Sequence, residues 1–150
     1  MQVIRVAIFA AALAVLSPTT ASAQSIAQTL RDFGLLDGPL APDCAQKPSP
    51  TNWYGRYSML PSGEAQIAYN SGTRGENVYL VHAAERIAPD QLLLSQEYKT
   101  THAFLTLIIL KNDSKFRTQV SRKPNGVFQV KDGKFADSDR DSPWLSRCGP

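Results

Sequence analysis

Lys115-Phe116-Arg117-Thr118-Gln119-Val120-Ser121-Arg122-Lys123-Pro124-Asn125-Gly126-Val127-Phe128-Gln129-Val130-Lys131-Asp132-Gly133-Lys134-Phe135 is the stretch that decides the fold class. Phe116, Thr118 and Val120 alternate with Lys115, Arg117 and Gln119, the two-residue period of a strand with one buried face. Pro124-Asn125-Gly126 then turns the chain, and Asn-Gly is a strong hairpin signal. Val127 to Val130 reads as a short strand, and Asp132-Gly133 makes a second tight turn before Phe135.

The same grammar extends upstream. Trp53, Gly55, Tyr57 and Met59 alternate with Tyr54, Arg56, Ser58 and Leu60, and Pro61-Ser62-Gly63 turns the chain. Ala65, Ile67 and Tyr69 alternate with Gln66, Ala68 and Asn70, followed by a turn from Ser71-Gly72 to Gly75. Val78 to Ala84 is β-rich, Ala88-Pro89-Asp90 turns, and Leu92, Leu94 and Tyr98 follow. Ala103 to Leu110 is next, with a polar turn at 111–114. About seven strands at this spacing predict an all-β antiparallel meander, curled into a partly or fully closed barrel. No helical pattern separates the strands, which argues against a parallel α/β sheet. Ala103 to Leu110 is apolar on both sides. It is therefore expected to be the most buried strand, covered by a helix or by the tail with Trp144.

One helix is expected ahead of the strands. Ser25 and Gln28 make a capping-box pattern, and Ile26, Leu30 and Phe33 share one face. Gly34 sits where such a helix would end. Residues 37–52 hold Gly38, Pro39, Pro42, Pro48 and Pro50, a density that excludes helix and central strand and reads as an ordered connector pinned at Cys44. The expected organisation is residues 24–52 as short helix and Pro-rich connector, and residues 53–150 as a β domain with a C-terminal tail.

Residues 1–23 read as a cleavable signal peptide. Met1 to Arg5 ends in a positive charge, Val6 to Leu16 is apolar, and Ala21-Ser22-Ala23 offers a cleavage site before Gln24. The apolar run has 11 residues, whereas a spanning helix needs roughly 20. No later segment reaches that length. The expected location is periplasmic or secreted. In such a compartment Cys44 and Cys148 are expected to pair; a metal pair and a reactive thiol are the alternatives. The loop they close would stabilise the chain by up to roughly 4–5 kcal/mol.

Charge is uneven. The whole chain is +3, but residues 24–98 carry five Lys/Arg against eight Asp/Glu, and residues 99–135 carry eight against two. Lys115, Arg117, Arg122, Lys123 and Lys131 are candidates for one anion-binding face within residues 111–134, suited to an anionic envelope partner. The plainer reading is ordinary protection of strand edges by lysines. Nucleic acid is disfavoured, because aromatics do not interleave with the basic residues.

Catalytic and metal signatures are weak. His82 and His102 lie on different expected strands, and there is no G-x-S-x-G elbow. An enzyme would need one of them beside a carboxylate in an open cleft. Asp137-Ser138-Asp139-Arg140-Asp141 opens like a calcium loop. Ser142 then stands where the turn glycine belongs, and Cys148 where the bidentate glutamate belongs. No cofactor is implied. Trp53, Tyr54, Tyr57, Tyr69, Tyr79, Tyr98, Phe104, Phe116 and Phe128 either fill a closed sheet or line a cavity in it, and periodicity does not separate the two.

Phe33-Gly34-Leu35-Leu36, Asp43-Cys44, Pro48-Ser49 and Ser142-Pro143-Trp144-Leu145-Ser146-Arg147-Cys148 together resemble a group of small exported alphaproteobacterial proteins of unassigned function. The resemblance spans most of residues 24–150. It implies a periplasmic or secreted location and a disulfide, and no activity. A short leading helix and a strand meander are also similar in architecture to lipocalin-type barrels, with Gly38-Pro39-Leu40 where those often carry Gly-x-Trp. The sequence thus favours a non-enzymatic binding module for a small apolar ligand or envelope component, with the basic-face interaction protein as the alternative.

Overall fold

The computed structural model describes residues 24–73 and 75–149; the signal-peptide reading of residues 1–23 lies outside them. The chain runs α1 (Ile26–Phe33), β1 (Leu40–Ala41), β2 (Tyr54–Met59), β3 (Ala65–Asn70), β4 (Glu76–Ala88), β5 (Gln91–Tyr98), β6 (Ala103–Asn112), β7 (Lys115–Arg122), β8 (Phe128–Lys131), β9 (Lys134–Phe135) and β10 (Leu145–Arg147). Each of β1 to β7 pairs antiparallel with the next, and β10 pairs with both β1 and β7. That last strand closes an eight-stranded antiparallel barrel. β8 and β9 lie outside the closed ring, paired onto the far end of β7.

The expected meander and closed barrel are both present. Two expectations fail locally. Leu40–Ala41 is a strand paired on both sides, to Arg147 and Ser146 across one edge and to Gly55 across the other. Pro39 and Pro42 limit it to two residues but do not abolish it, because Pro removes a donor only at its own position. Ala103 to Leu110 is not the most buried strand: within β6 only Leu107 and Ile109 are buried, and Phe104 is 44% exposed. Thr106, Ile108 and Leu110 on its outer face are only half-buried, because α1 packs against β4 instead. β5 is the better buried strand, with Leu92, Leu94 and Gln96 turned inward.

Antiparallel order sets the turns at 59–65, 88–91 and 112–115 at one end of the barrel, and those at 70–76, 98–103 and 122–128 at the other. The first end is closed by α1. Ser25 Oγ accepts from Gln28 N–H at the helix start, while the Gln28 side chain turns to Asp32 instead of completing the capping box. Gly34 ends the helix at φ 91°, a left-handed conformation that returns its N–H to Leu30 and Arg31 carbonyls. Leu30 and Phe33 then enter the same buried cluster as Ile67, Leu94, Ile109 and Phe116. Lys111 fixes the docking by donating from Nζ to Phe33 O at 3.0 Å.

Cys44 and Cys148 are joined by a disulfide across 104 residues. The bond sits beside the short β1–β10 seam, where Cys148 N–H also donates to Pro39 O at 2.8 Å. The Pro-rich connector is ordered around the buried Asn52. Its Oδ1 accepts from Asp43 N–H and its Nδ2 donates to Asp43 O, both at 2.9 Å. Among the described residues no helix is long and apolar enough to cross a membrane.

Candidate ligand-binding site

The inward side chains change character along the barrel. At the helix end they are aliphatic residues and Phe, and they fill the interior. Toward the other end they become Trp53, Tyr69 and Tyr79, and the interior opens into a cavity of about 490 Å³. That volume lies in the range of small-molecule sites. Leu105, Leu107, Val130, Phe128 and Phe135 also line the cavity, and Gln96 is the most buried of its polar groups.

Register produces the aromatic wall. Gly55 pairs with Tyr69, Ile67 with Tyr79, and Tyr79 with Tyr98, so aromatic residues of successive strands fall on one face near the mouth. Trp53 meets Tyr69 edge-on with ring centroids 5.1 Å apart, and Tyr69 meets Tyr79 edge-on at 5.8 Å. Tyr79 meets Tyr98 at 4.9 Å. Gly55 leaves room for this wall, since the Tyr69 ring already touches the space a side chain there would occupy. Burial pushes the Tyr69 phenol well above its ordinary value, with Tyr57 and Tyr79 beside it, and raises Tyr79 as well. These phenols stay neutral and present apolar faces with hydrogen-bonding tips.

The outer strands form the remaining wall. Gly133, in the β8–β9 turn, donates its N–H to Gln119 O and accepts from Ser142 N–H, both at 2.8 Å. Arg117 Nη2 also donates to Gly133 O, and the Arg117 guanidinium lies 5.7 Å from the Trp144 ring centroid. Gly133 has φ 73°, and a Cβ there would collide with the guanidinium. Arg117 thereby holds β8 and β9 against the barrel.

The five basic candidates are not brought into one face. Lys115 is at the helix end, in the seam with β10. Arg117 is engaged under β8 and β9, with Asp141 3.2 Å away. Arg122 and Lys131 flank the Phe128 ring, 5.9 and 5.7 Å from its centroid. Lys123 borders the cavity mouth. A bulge on β7 between the Thr118 and Val120 pairings takes Gln119 out of the face that strict alternation assigns to it with Lys115 and Arg117.

Both histidines lie beside one carboxylate that sequence reading did not single out. His102 Nδ1 is 2.5 Å from Glu97 Oε1, and His82 Nε2 is 2.6 Å from Oε2. The hydrogen bonds from His102 and His82 hold the Glu97 carboxyl below the usual carboxylate range, outweighing the opposing effect of its burial. The cluster is on the outer face of the sheet, and His102 is 78% exposed. Among the described residues, every side-chain hydrogen bond of the two imidazoles goes to Glu97. A nucleophilic triad needs a second partner, a hydroxyl or thiol, on the same ring.

The acidic run is likewise drawn onto neighbouring cations, with Asp139 3.5 Å from Lys134 and Asp141 on Arg117. Among the described residues no group of three His, Cys, Asp or Glu is placed to hold a metal ion. No family model matches the chain, and neither a curated protein nor a solved structure matches it.

Proposed function

We propose that this protein is an exported, non-enzymatic binding module that takes a small, mainly apolar molecule into the mouth of its barrel. The carrying observation is the contrast inside one barrel: a packed helix end, and a cavity of about 490 Å³ walled by Trp53, Tyr69 and Tyr79 at the other. A sheet that only needed a core would fill that space with side chains, because interiors pack densely. The signal-like residues 1–23 and the Cys44–Cys148 bond support a periplasmic or secreted setting.

Native mass spectrometry of protein purified from its source tests this reading. A bound small molecule, released on denaturation and diminished in Trp53→Ala, is the expected result. A ligand-free mass, together with no uptake of an apolar fluorescent probe by the folded protein, contradicts it.

A further inference from the structure

The geometry points to Gln96 as the residue that sets which apolar molecules the mouth accepts: ring compounds carrying one uncharged hydroxyl at the buried end. This deepens the ligand-cavity reading and rests on it. Gln96 is 1% exposed, yet its side chain lines the cavity. It is paired in register with Val81 and Leu105 and stands two residues beyond Leu94, where the packed core stops. A carboxamide has two donors and an acceptor with two lone pairs. Among the described residues it makes a single side-chain hydrogen bond, from Nε2 to Tyr57 Oη at 3.5 Å.

A buried amide left with one long hydrogen bond is costly for a core and useful for a site. Gln96 borders the space that a ligand would fill, so a polar group placed at its buried end would meet this remaining capacity. A hydroxyl both donates and accepts, so it matches the carboxamide in either orientation of its oxygen and nitrogen. A carboxylate does not suit this position. The buried polar side chains of the lining, Gln96, Ser121 and Ser142, are uncharged, as is the Tyr57 phenol bonded to Gln96, whereas Lys123 is exposed at the rim. An ion buried without a countercharge is strongly disfavoured. The edge-on wall of Trp53, Tyr69 and Tyr79 favours a flat ring for the body of the ligand.

Displacement of the uncharged probe N-phenyl-1-naphthylamine by 2-naphthol and by naphthalene tests this on the folded, disulfide-bonded protein. A purely apolar cavity prefers naphthalene, because the hydroxyl of naphthol loses its water without replacement. With Gln96 as anchor, 2-naphthol displaces the probe at about tenfold lower concentration than naphthalene. Gln96→Leu and Gln96→Met should remove or reverse that preference while naphthalene still binds, with circular dichroism confirming the native sheet. Equal potency, or a naphthalene preference, in the unaltered protein overturns the inference. So does a naphthol preference that survives both substitutions. Failure of the probe itself to bind overturns the cavity reading, and this inference with it.

Discussion

The two ends of this barrel are built from the same strands yet solve different problems. At the helix end Leu30 and Phe33 descend onto Leu94, Ile109 and Phe116, and every inward position is filled. At the mouth the same strands carry Tyr69, Tyr79, Gln96 and Leu105, and among the described residues no helix covers them. An amphipathic plug makes the first end a core. Its absence, with polar tips on large flat rings, makes the second a site. Stability should therefore be concentrated at one end and recognition at the other.

The largest expected effect concerns the seam that closes the ring. β1 and β10 share two residue pairs, so the Cys44–Cys148 bond supplies much of the restraint there. Replacing both cysteines by serine should lower unfolding free energy by about 4–5 kcal/mol in urea titrations, by the loop-entropy argument for a loop of this length. A loss below about 1 kcal/mol would mean that backbone pairing alone holds the seam.

Next comes the contrast between the ends. Leu94→Ala removes a fully buried side chain and should cost about 3 kcal/mol. Val127→Ala, at a residue 53% exposed beside the mouth, should stay within about 0.5 kcal/mol. Equal costs would erase the distinction. Tyr79→Leu lies between. It breaks ring contacts with Tyr69 and Tyr98, each worth about 0.5–1.5 kcal/mol, so a loss of about 1–2 kcal/mol is expected. Its larger consequence should be weakened probe binding, and unchanged affinity would remove Tyr79 from the site.

The smallest effect is on the outer surface. The Glu97 carboxyl is held below its ordinary value of 4.5 in the folded protein. It thus contributes stability that is present above its unfolded value and is lost as pH falls through its folded value. Glu97→Gln should lower stability at pH 7, flatten the acid limb of the stability curve below about pH 4.5, and converge with the unaltered protein in stronger acid. An unchanged acid limb would show that the two imidazoles do not favour the carboxylate.

Much of this architecture is legible in the residues. The alternation from Trp53 onward, the Asn125-Gly126 turn and the Ser25 and Gly34 caps each correspond to an observed element. What stays hidden is non-local. β1 and β10 are two and three residues long, too short for a period, and gain strand character only from each other. β6 looks like the core strand because hydrophobicity does not reveal which face a helix covers. The aromatic residues of the wall are visible in sequence, but their meeting at one end depends on register. Glu97 was within reach: extending the Ala88–Gln91 pairing without bulges sets His82 opposite it. Two bulges shift the pairing so that Leu80 faces Glu97, and the imidazole still reaches diagonally. Gln96 is not singled out by the sequence, since nothing there marks where packing stops.

The most direct test of the account is a crystal structure of the protein isolated from its own source and examined for density inside the barrel. The account predicts a compact, non-protein feature against Trp53, Tyr69 and Tyr79, reaching Gln96, above a fully packed helix end. A mouth filled by its own side chains, with β8 and β9 folded into the space, would contradict it.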